Sequence, residues 1–297
     1  MPQFSVIIPT WNRPEELVRC LRSFATLKYP SRDWELIIVN DGGERSFSAI
    51  TSDIKKSLPV RLVDIEHRGV SAARNFGAKL ARGYYLAFTD DDCRVEQDWL
   101  LMFENGFEGG KWDALGGQSL NPFPESIPSR AYQYVVDFLY DYWIDKTENV
   151  LLLVSNNVAY RRTVFEALGG FDETFTIASE DRELSFRLVA EGYRQRYCPD
   201  ANVWHHRNLT WWEYINLQFR YGRGGYYFHE ATKQIETNKC IKPHLTKHYY
   251  VELAQSLWRV KAPLPMWLLL INSHIAHEAG KVYQVFHSFY HSETGKD

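Results

Sequence analysis

The sequence is short of several things that would decide its class at once. Its 297 residues include 4 cysteines and 3 methionines. Cys20, Cys93, Cys198 and Cys240 form no Cys-x-x-Cys pair, which removes a zinc-site spacing. So sparse a set demands no disulfide, and a reducing cytoplasm is the expected setting. There is no surplus of positive charge: 34 Lys and Arg against 37 Asp and Glu give a net charge of -3. That balance speaks against a nucleic-acid binder. The most apolar late run, Met266 to Ile271, is far shorter than the ~20 residues that span a bilayer. Met1-Pro2-Gln3-Phe4 lacks the charged region and apolar core of a signal peptide. No Gly-x-x-x-x-Gly-Lys phosphate loop, internal repeat or low-complexity tract occurs.

What is present is an ordinary globular composition, 45% hydrophobic and 24% charged, with ample material for a core. Aromatic residues are plentiful, and many fall after residue 130. Most of them should simply pack; some suit an acceptor groove or a partner surface.

The chain is organised around Tyr84-Tyr85-Leu86-Ala87-Phe88-Thr89-Asp90-Asp91-Asp92. An apolar, aromatic run of strand character ends abruptly in three carboxylates. The C-terminal tips of buried strands in α/β sheets are where ligands bind. Adjacent carboxylates repel one another unless a cation or several donors sit among them. Hard divalent ions favour carboxylate oxygen and share it with phosphate. The plain alternative is a solvated acidic turn before a helix near Glu96.

Other segments repeat the pattern. Phe4 to Ile8 predicts a buried strand stopping at Pro9, followed by the loop Thr10-Trp11-Asn12-Arg13-Pro14. Leu17, Cys20, Leu21 and Phe24 have helical spacing. Leu36 to Val39 predicts a second strand ending in Asn40-Asp41-Gly42-Gly43. Asp41 there suits either a base or ribose contact or an Asx turn. A third strand is expected over Val60 to Ile65. Gly69-Val70-Ser71-Ala72-Ala73-Arg74-Asn75 then opens a helix with Ser71 as its N-cap. Arg74, on its first turn, suits a phosphate, a neighbouring strand-tip Asp, or plain surface exposure. Strand, helix, strand, strand, helix, strand is a nucleotide-binding α/β half.

Beyond it, Trp99, Met102, Phe103 and Phe107 predict an inward helix face, and Trp112 to Gln118 a strand. Asn121 to Pro128 reads as loop and Tyr132 to Ile144 as an aromatic helix. Leu151 to Tyr160 is apolar but broken by Ser155-Asn156-Asn157. A short helix over Arg161 to Leu168 closes on Gly169-Gly170. Ser179 should cap a helix whose first turn holds Glu180 and Asp181, acids that could merely complement its dipole. Tyr197 to Asp200 predicts a last strand before His205-His206, a weak metal signal alone. Pro263 to Phe289 suits an amphipathic helix, expected to pack on the domain or join a dimer rather than rest on lipid.

Five features in order match a known pattern: Phe4 to Pro9 with Asn12-Arg13; Val39-Asn40-Asp41; Gly69 to Asn75; Asp90-Asp91-Asp92; and Gly169-Gly170-Phe171-Asp172-Glu173 before Glu180-Asp181. In these the chain resembles the family-2 glycosyltransferases over roughly Pro2 to Arg223. The resemblance implies a GT-A-type α/β fold: a Rossmann-like, mixed, mostly parallel sheet flanked by helices, with a helical C-terminal extension. It implies domain 1–225, with a nucleotide-binding half 1–118 and an acceptor half 119–225, followed by an aromatic-rich region 226–297. By the same resemblance Pro9, Thr10, Asn12 and Asp41 would serve the nucleotide, with Arg74, Asp90 and Asp91 on its diphosphate side. Asp92 and His205 would hold Mn²⁺ or Mg²⁺. Asp181 would be the catalytic base, with Glu180 beside it. Gln218-Phe219-Arg220-Tyr221 only partly echoes the Gln-x-x-Arg-Trp of processive synthases, so non-processive transfer is expected.

The implied reaction moves a sugar from a nucleotide-diphosphate donor, UDP-linked in most relatives, to a hydroxyl of a saccharide or glycolipid, inverting the anomeric centre in polysaccharide biosynthesis. A cytoplasmic protein is expected, with peripheral contact at the inner membrane face and homodimerisation both open. Two other classes compete. A metal-dependent nucleotidyl- or phosphoryl-transferase would need a basic phosphate loop near the N-terminus, and Pro9 to Arg13 is not one. A non-catalytic sugar-binding module would not need Asp181.

Overall fold

The computed structural model describes residues 1–43, 58–143, 150–233 and 247–294. Cys240 and Ile144 lie outside them. Eight strands among the described residues form one mixed sheet in the order β3-β2-β1-β4-β7-β6-β8-β5. β1 (Phe4–Thr10), β2 (Trp34–Asp41), β3 (Val60–Ile65) and β4 (Tyr85–Thr89) run parallel. β7 (Asn157–Arg161) runs antiparallel to β4 and to β6 (Ala114–Leu120). β8 (Gln195–His205) is parallel to β6, and β5 (Cys93–Val95) is antiparallel to β8.

The pleat explains why the central strands read as unbroken apolar runs. Phe4, Val6 and Ile8 of β1 join Leu36 and Ile38 of β2 on one face. Ile7, Ile37 and Val39 join Phe88 on the other. Both faces are covered, so neither needs polar residues. α1 (Pro14–Phe24) and α3 (Trp99–Phe107) supply the first core, α2 (Val70–Leu80) and α6 (Glu180–Ala190) the second. α1 starts with proline at its first turn and buries Leu17, Cys20, Leu21 and Phe24, as their spacing predicts.

Several expectations need correction. Ser71 does not cap α2: the N-cap is Gly69, at φ 96°, without a side-chain bond. The turn is set from β2 instead, because the Asp41 carboxylate accepts the Arg68 and Gly69 amides at 2.9 Å each. Ser179 sits at the N-cap of α6 in the left-handed region, φ 77°, and its side chain makes no cap bond. α3 buries Leu100, while Met102 is half-buried. The strand expected from Trp112 starts at Ala114, where β7 and β8 both become available for pairing. The last strand is longer than Tyr197 to Asp200 at both ends. α4 (Ile127–Trp143) starts within the expected loop, since Pro128 suits a first turn. α5 (Arg162–Ala167) is the expected short helix.

The boundary expected at 225/226 falls inside the unbroken α7 (Trp211–Thr232). α8 (Lys247–Arg259) and α9 (Leu264–Thr294) follow. α9 packs on α7 at glycine contacts. A Cβ at Gly222 would strike the His277 carbonyl, and one at Gly280 the Phe219 carbonyl.

Candidate active site

Register brings the predicted residues to one edge. The parallel strands β1, β2 and β4 end at Thr10, Asp41 and, one residue beyond Thr89, Asp90. Antiparallel β7 pairs Asn157 with Thr89, so Ser155 and Asn156 enter the sheet beside the acids leaving it. β5 pairs Cys93 with His205, which sets His205 beside Asp92.

The three acids are answered separately. Asp90 takes Arg74 Nη2 at 2.8 Å. Asp91 accepts the Thr10 hydroxyl at 2.7 Å and pairs with Arg13 at 2.7 Å. Burial lifts the Asp91 carboxyl to about 7, against the pull of Arg13 and with the push of Asp92. Asp92 pairs with Arg13 at 3.1 Å and lies 3.3 Å from His205 Nε2. Burial alone would raise Asp92, but His205, Arg207 and Arg13 outweigh it and hold the carboxyl well below the usual range. Arg13 and Thr10 thus relieve part of the repulsion that adjacency imposes.

His205 Nε2 is buried and has no hydrogen-bond partner among the described residues. Its Nδ1 lies 3.0 Å from Asn156 Nδ2, and Asn156 Oδ1 accepts the Ser119 hydroxyl at 3.0 Å. An orphaned imidazole nitrogen beside an ionised carboxylate fits a divalent ion such as Mn²⁺. Asp92, Cys93 and His205 present their ligand atoms within 4.8 Å of one another. Burial holds the Cys93 thiol up in its protonated form, which leaves Asp92 and His205 as the pair that could hold an ion.

At the tips of β1 and β2, Trp11 stacks on His67 with centroids 4.8 Å apart. His67 Nδ1 in turn lies 2.9 Å from Asp41 Oδ2. Asp41 is buried, and its carboxylate serves the distant Arg68 and Gly69 amides rather than an Asx turn; Oδ2 also meets His67, while Oδ1 keeps a second lone pair for a further contact. Pro9 and Thr10 are buried in β1, and Asn12 holds a left-handed backbone at φ 55°.

Arg74 is 2% exposed and bridges Asp90 to Glu180 Oε1, the latter also at 2.8 Å. Of its three sequence readings the strand-tip Asp is the one seen. Glu180 also takes the Ser155 hydroxyl at 3.4 Å. Asp181 accepts the Ser155 amide at 3.2 Å and its own neighbour's amide, Arg182, at 2.8 Å. Burial and the adjacent Glu180 raise the Asp181 carboxyl to about 7 against those bonds and Arg74. Asp181 opens on a cavity of about 270 Å³ walled by Tyr132, Leu139, Phe228, Tyr249 and Leu270 among others. Tyr132 also meets the Asp92–His205 corner, its ring 6.1 Å from His205.

Sequence reasoning missed Arg13, Ser155 and Asn156 as site residues. The polar break Ser155-Asn156-Asn157 in an apolar run was the available signal.

Comparisons with known proteins agree with this geometry. Residues 5–169 match the family described as Glycosyl transferase family 2. Glycosyltransferase AglE of Haloferax volcanii is 29% identical over 228 residues, 75% of this chain and 73% of its own length. The match spans as little as 18% of other curated relatives. Among solved structures, mannosyltransferase PcManGT of Pyrobaculum calidifontis, in complex with GDP-Man and Mn²⁺, superposes with a TM-score of 0.68 at 18% identity, covering 97% of this chain and 84% of that one. S. aureus TarS 1-349 with UDP gives 0.57 at 16% identity, covering 100% and 92%. These two likenesses show the fold, a GT-A fold. The family match extends from β1 through β7 and α5, across the strand tips that carry the acids, and the chain is a glycosyltransferase belonging to glycosyl transferase family 2.

Proposed function

We propose that the protein is an inverting glycosyltransferase that takes a nucleoside-diphosphate sugar at the strand tips and an acceptor hydroxyl at Asp181. The observation that carries this reading is the pairing of two unlike corners on one edge. One is an ionised carboxylate beside an orphaned imidazole nitrogen, and the other a carboxyl raised to about 7 that faces a cavity.

The base of the donor lies on the Trp11–His67 stack, with Asp41 accepting from base or ribose. Arg13 turns from Asp91 and Asp92 toward the diphosphate, since its guanidinium is half-exposed. Asp92 and His205 would hold a divalent ion, Mn²⁺ or Mg²⁺, which would supply Lewis-acid neutralisation of the leaving diphosphate. Asp181 takes the acceptor proton as the acceptor oxygen bonds to the anomeric carbon. The bond from that carbon to the phosphate oxygen breaks on the opposite side, so configuration inverts, and the nucleoside diphosphate leaves with the electron pair. Arg74 holds Glu180 aside, leaving Asp181 as the carboxylate on the cavity. GDP-Man and UDP in the two neighbours favour a nucleotide-sugar donor without choosing its base.

A panel of UDP- and GDP-sugars, turned over with Mn²⁺ and followed by proton NMR, tests the reading. It predicts release of nucleoside diphosphate from one donor and an inverted anomeric signal in the product. A retained configuration, or turnover unchanged in Asp181→Asn, contradicts it. The Ser155 and Arg182 amides bond different oxygens of Asp181, so Asn at 181 keeps an acceptor for only one of them, and donor affinity serves as the control for a disturbed site.

A further inference from the structure

Two arginines at the strand tips are taken up by acids. Arg13 pairs with Asp91 and Asp92, and Arg74 with Asp90 and Glu180. Arg207, two residues past the end of β8, is different. Among the described residues its guanidinium makes no ion pair and donates no hydrogen bond. It lies instead over the Tyr132 ring, 5.6 Å from the centroid. Burial keeps the Tyr132 phenol protonated, so that ring offers its π face and no negative charge. The Arg207 side chain is half-buried, and a cation drawn out of water without an anion costs free energy.

Its position is fixed from two sides. The His206 amide donates to the Asp92 carbonyl and the Arg207 amide to the His205 carbonyl, each at 2.8 Å. The Arg207 carbonyl accepts the Ser129 hydroxyl at 3.1 Å, from the first turn of α4. The guanidinium is therefore held between two places. On one side is Asp92, whose carboxyl it helps His205 to hold down against burial. On the other are Tyr132 and Tyr221, whose hydroxyls lie 3.5 Å apart and which line the cavity at Asp181. A sugar passing from a donor at the strand tips to an acceptor at Asp181 crosses the gap between these two places.

Resting on the transferase reading, we infer that Arg207 is a further catalytic residue, which donates N–H bonds to the β-phosphate of the donor and stabilises it as the leaving group. When the bond from the anomeric carbon to the β-phosphate oxygen breaks, the electron pair stays on that oxygen. The planar guanidinium meets the growing charge with its N–H groups and keeps its own proton. The acceptor proton goes to Asp181. Arg13 must first release Asp91 and Asp92 to reach a phosphate, whereas Arg207 has no acid to release. A donor group already in place when charge appears is the most effective kind.

Calorimetry with UDP, UMP, GDP and GMP in the presence of Mn²⁺, on the full chain, tests this. The ratio of diphosphate to monophosphate affinity isolates the β-phosphate. Arg207→Gln should lower that ratio by roughly tenfold or more, with monophosphate affinity unchanged. Arg207→Lys keeps the charge but loses the fork, and should fall between. Mn²⁺ affinity without nucleotide should not weaken in either variant. With a donor that the wild type turns over, kcat of Arg207→Gln should drop by roughly 10²-fold. A wild-type ratio in Arg207→Gln overturns the inference. So does an equal loss of monophosphate and diphosphate affinity, or weaker Mn²⁺ binding, either of which would make Arg207 a support for the fold or for His205. If Arg207→Gln does not fold by circular dichroism, Arg207→Lys decides, and an unchanged ratio there overturns the inference. Wild-type protein that binds neither UDP nor GDP sinks the donor reading itself. Normal wild-type binding with a ratio that survives Arg207→Gln sinks this inference alone.

Discussion

At the scale of single residues, three acids in a row behave as three different groups because their partners differ. Asp90 faces a buried arginine, Asp91 a hydroxyl and a half-exposed arginine, and Asp92 an imidazole. Asp181 is set apart by burial beside Glu180, and its carboxyl at about 7 must be ionised to accept a proton. The sign is therefore fixed: transfer should climb as pH rises through about 7 and level off above it, a limb read from kcat/KM against pH. A rate flat from pH 5 to 8 would contradict that role. Asn156 acts through His205. With its oxygen turned to Nδ1 and its nitrogen to the Ser119 hydroxyl, the amide accepts from Nδ1–H and so serves the tautomer that leaves Nε2 free for a metal. Asn156→Ala should weaken Mn²⁺ binding by roughly 10- to 100-fold, read by electron paramagnetic resonance of free Mn²⁺, with the fold unchanged by circular dichroism. Asp41→Ala should cost about 1–3 kcal/mol of nucleoside-diphosphate affinity by calorimetry, since a buried contact is left unmade.

At the scale of elements, the important joint is between β4 and α6. Arg74 on α2 ties Asp90, just past the β4 tip, to Glu180 on the first turn of α6, with its charge nearly sealed from water. Removing one member leaves buried carboxylates uncompensated. Arg74→Leu should destabilise the fold by about 3–5 kcal/mol in urea titration. A loss below 1 kcal/mol would show that the carboxylates rehydrate freely. This joint also marks the limit of what the sequence makes legible. Strand tips carrying acids stand out, because an apolar run that stops at a carboxylate has few other readings. The helix faces of α1 and α3 follow from period. Which tip neighbours which does not follow. His205 reaches Asp92 through the β5–β8 register, and Asn156 reaches His205 across 49 residues of chain. The cap at Ser71 fails for a related reason. Long-range bonds from Asp41 set the turn before α2, and local propensity has no view of them.

At the scale of the whole molecule, one sheet edge collects the strand-tip acids and Asp181, while α4, α7, α8 and α9 help to wall the cavity beside Asp181. The glycine contacts between α7 and α9 hold the long C-terminal helix closely against α7. The central claim is that Asp92 and His205 hold a divalent ion beneath a nucleoside diphosphate. Calorimetric titration of UDP and GDP into the protein, with Mn²⁺ and after chelation, tests it most directly. The account predicts that one nucleotide binds at least roughly tenfold more tightly with Mn²⁺, and that Asp92→Ala and His205→Ala each abolish the difference. Affinity for both nucleotides that is the same with and without Mn²⁺, and untouched by either substitution, would contradict it.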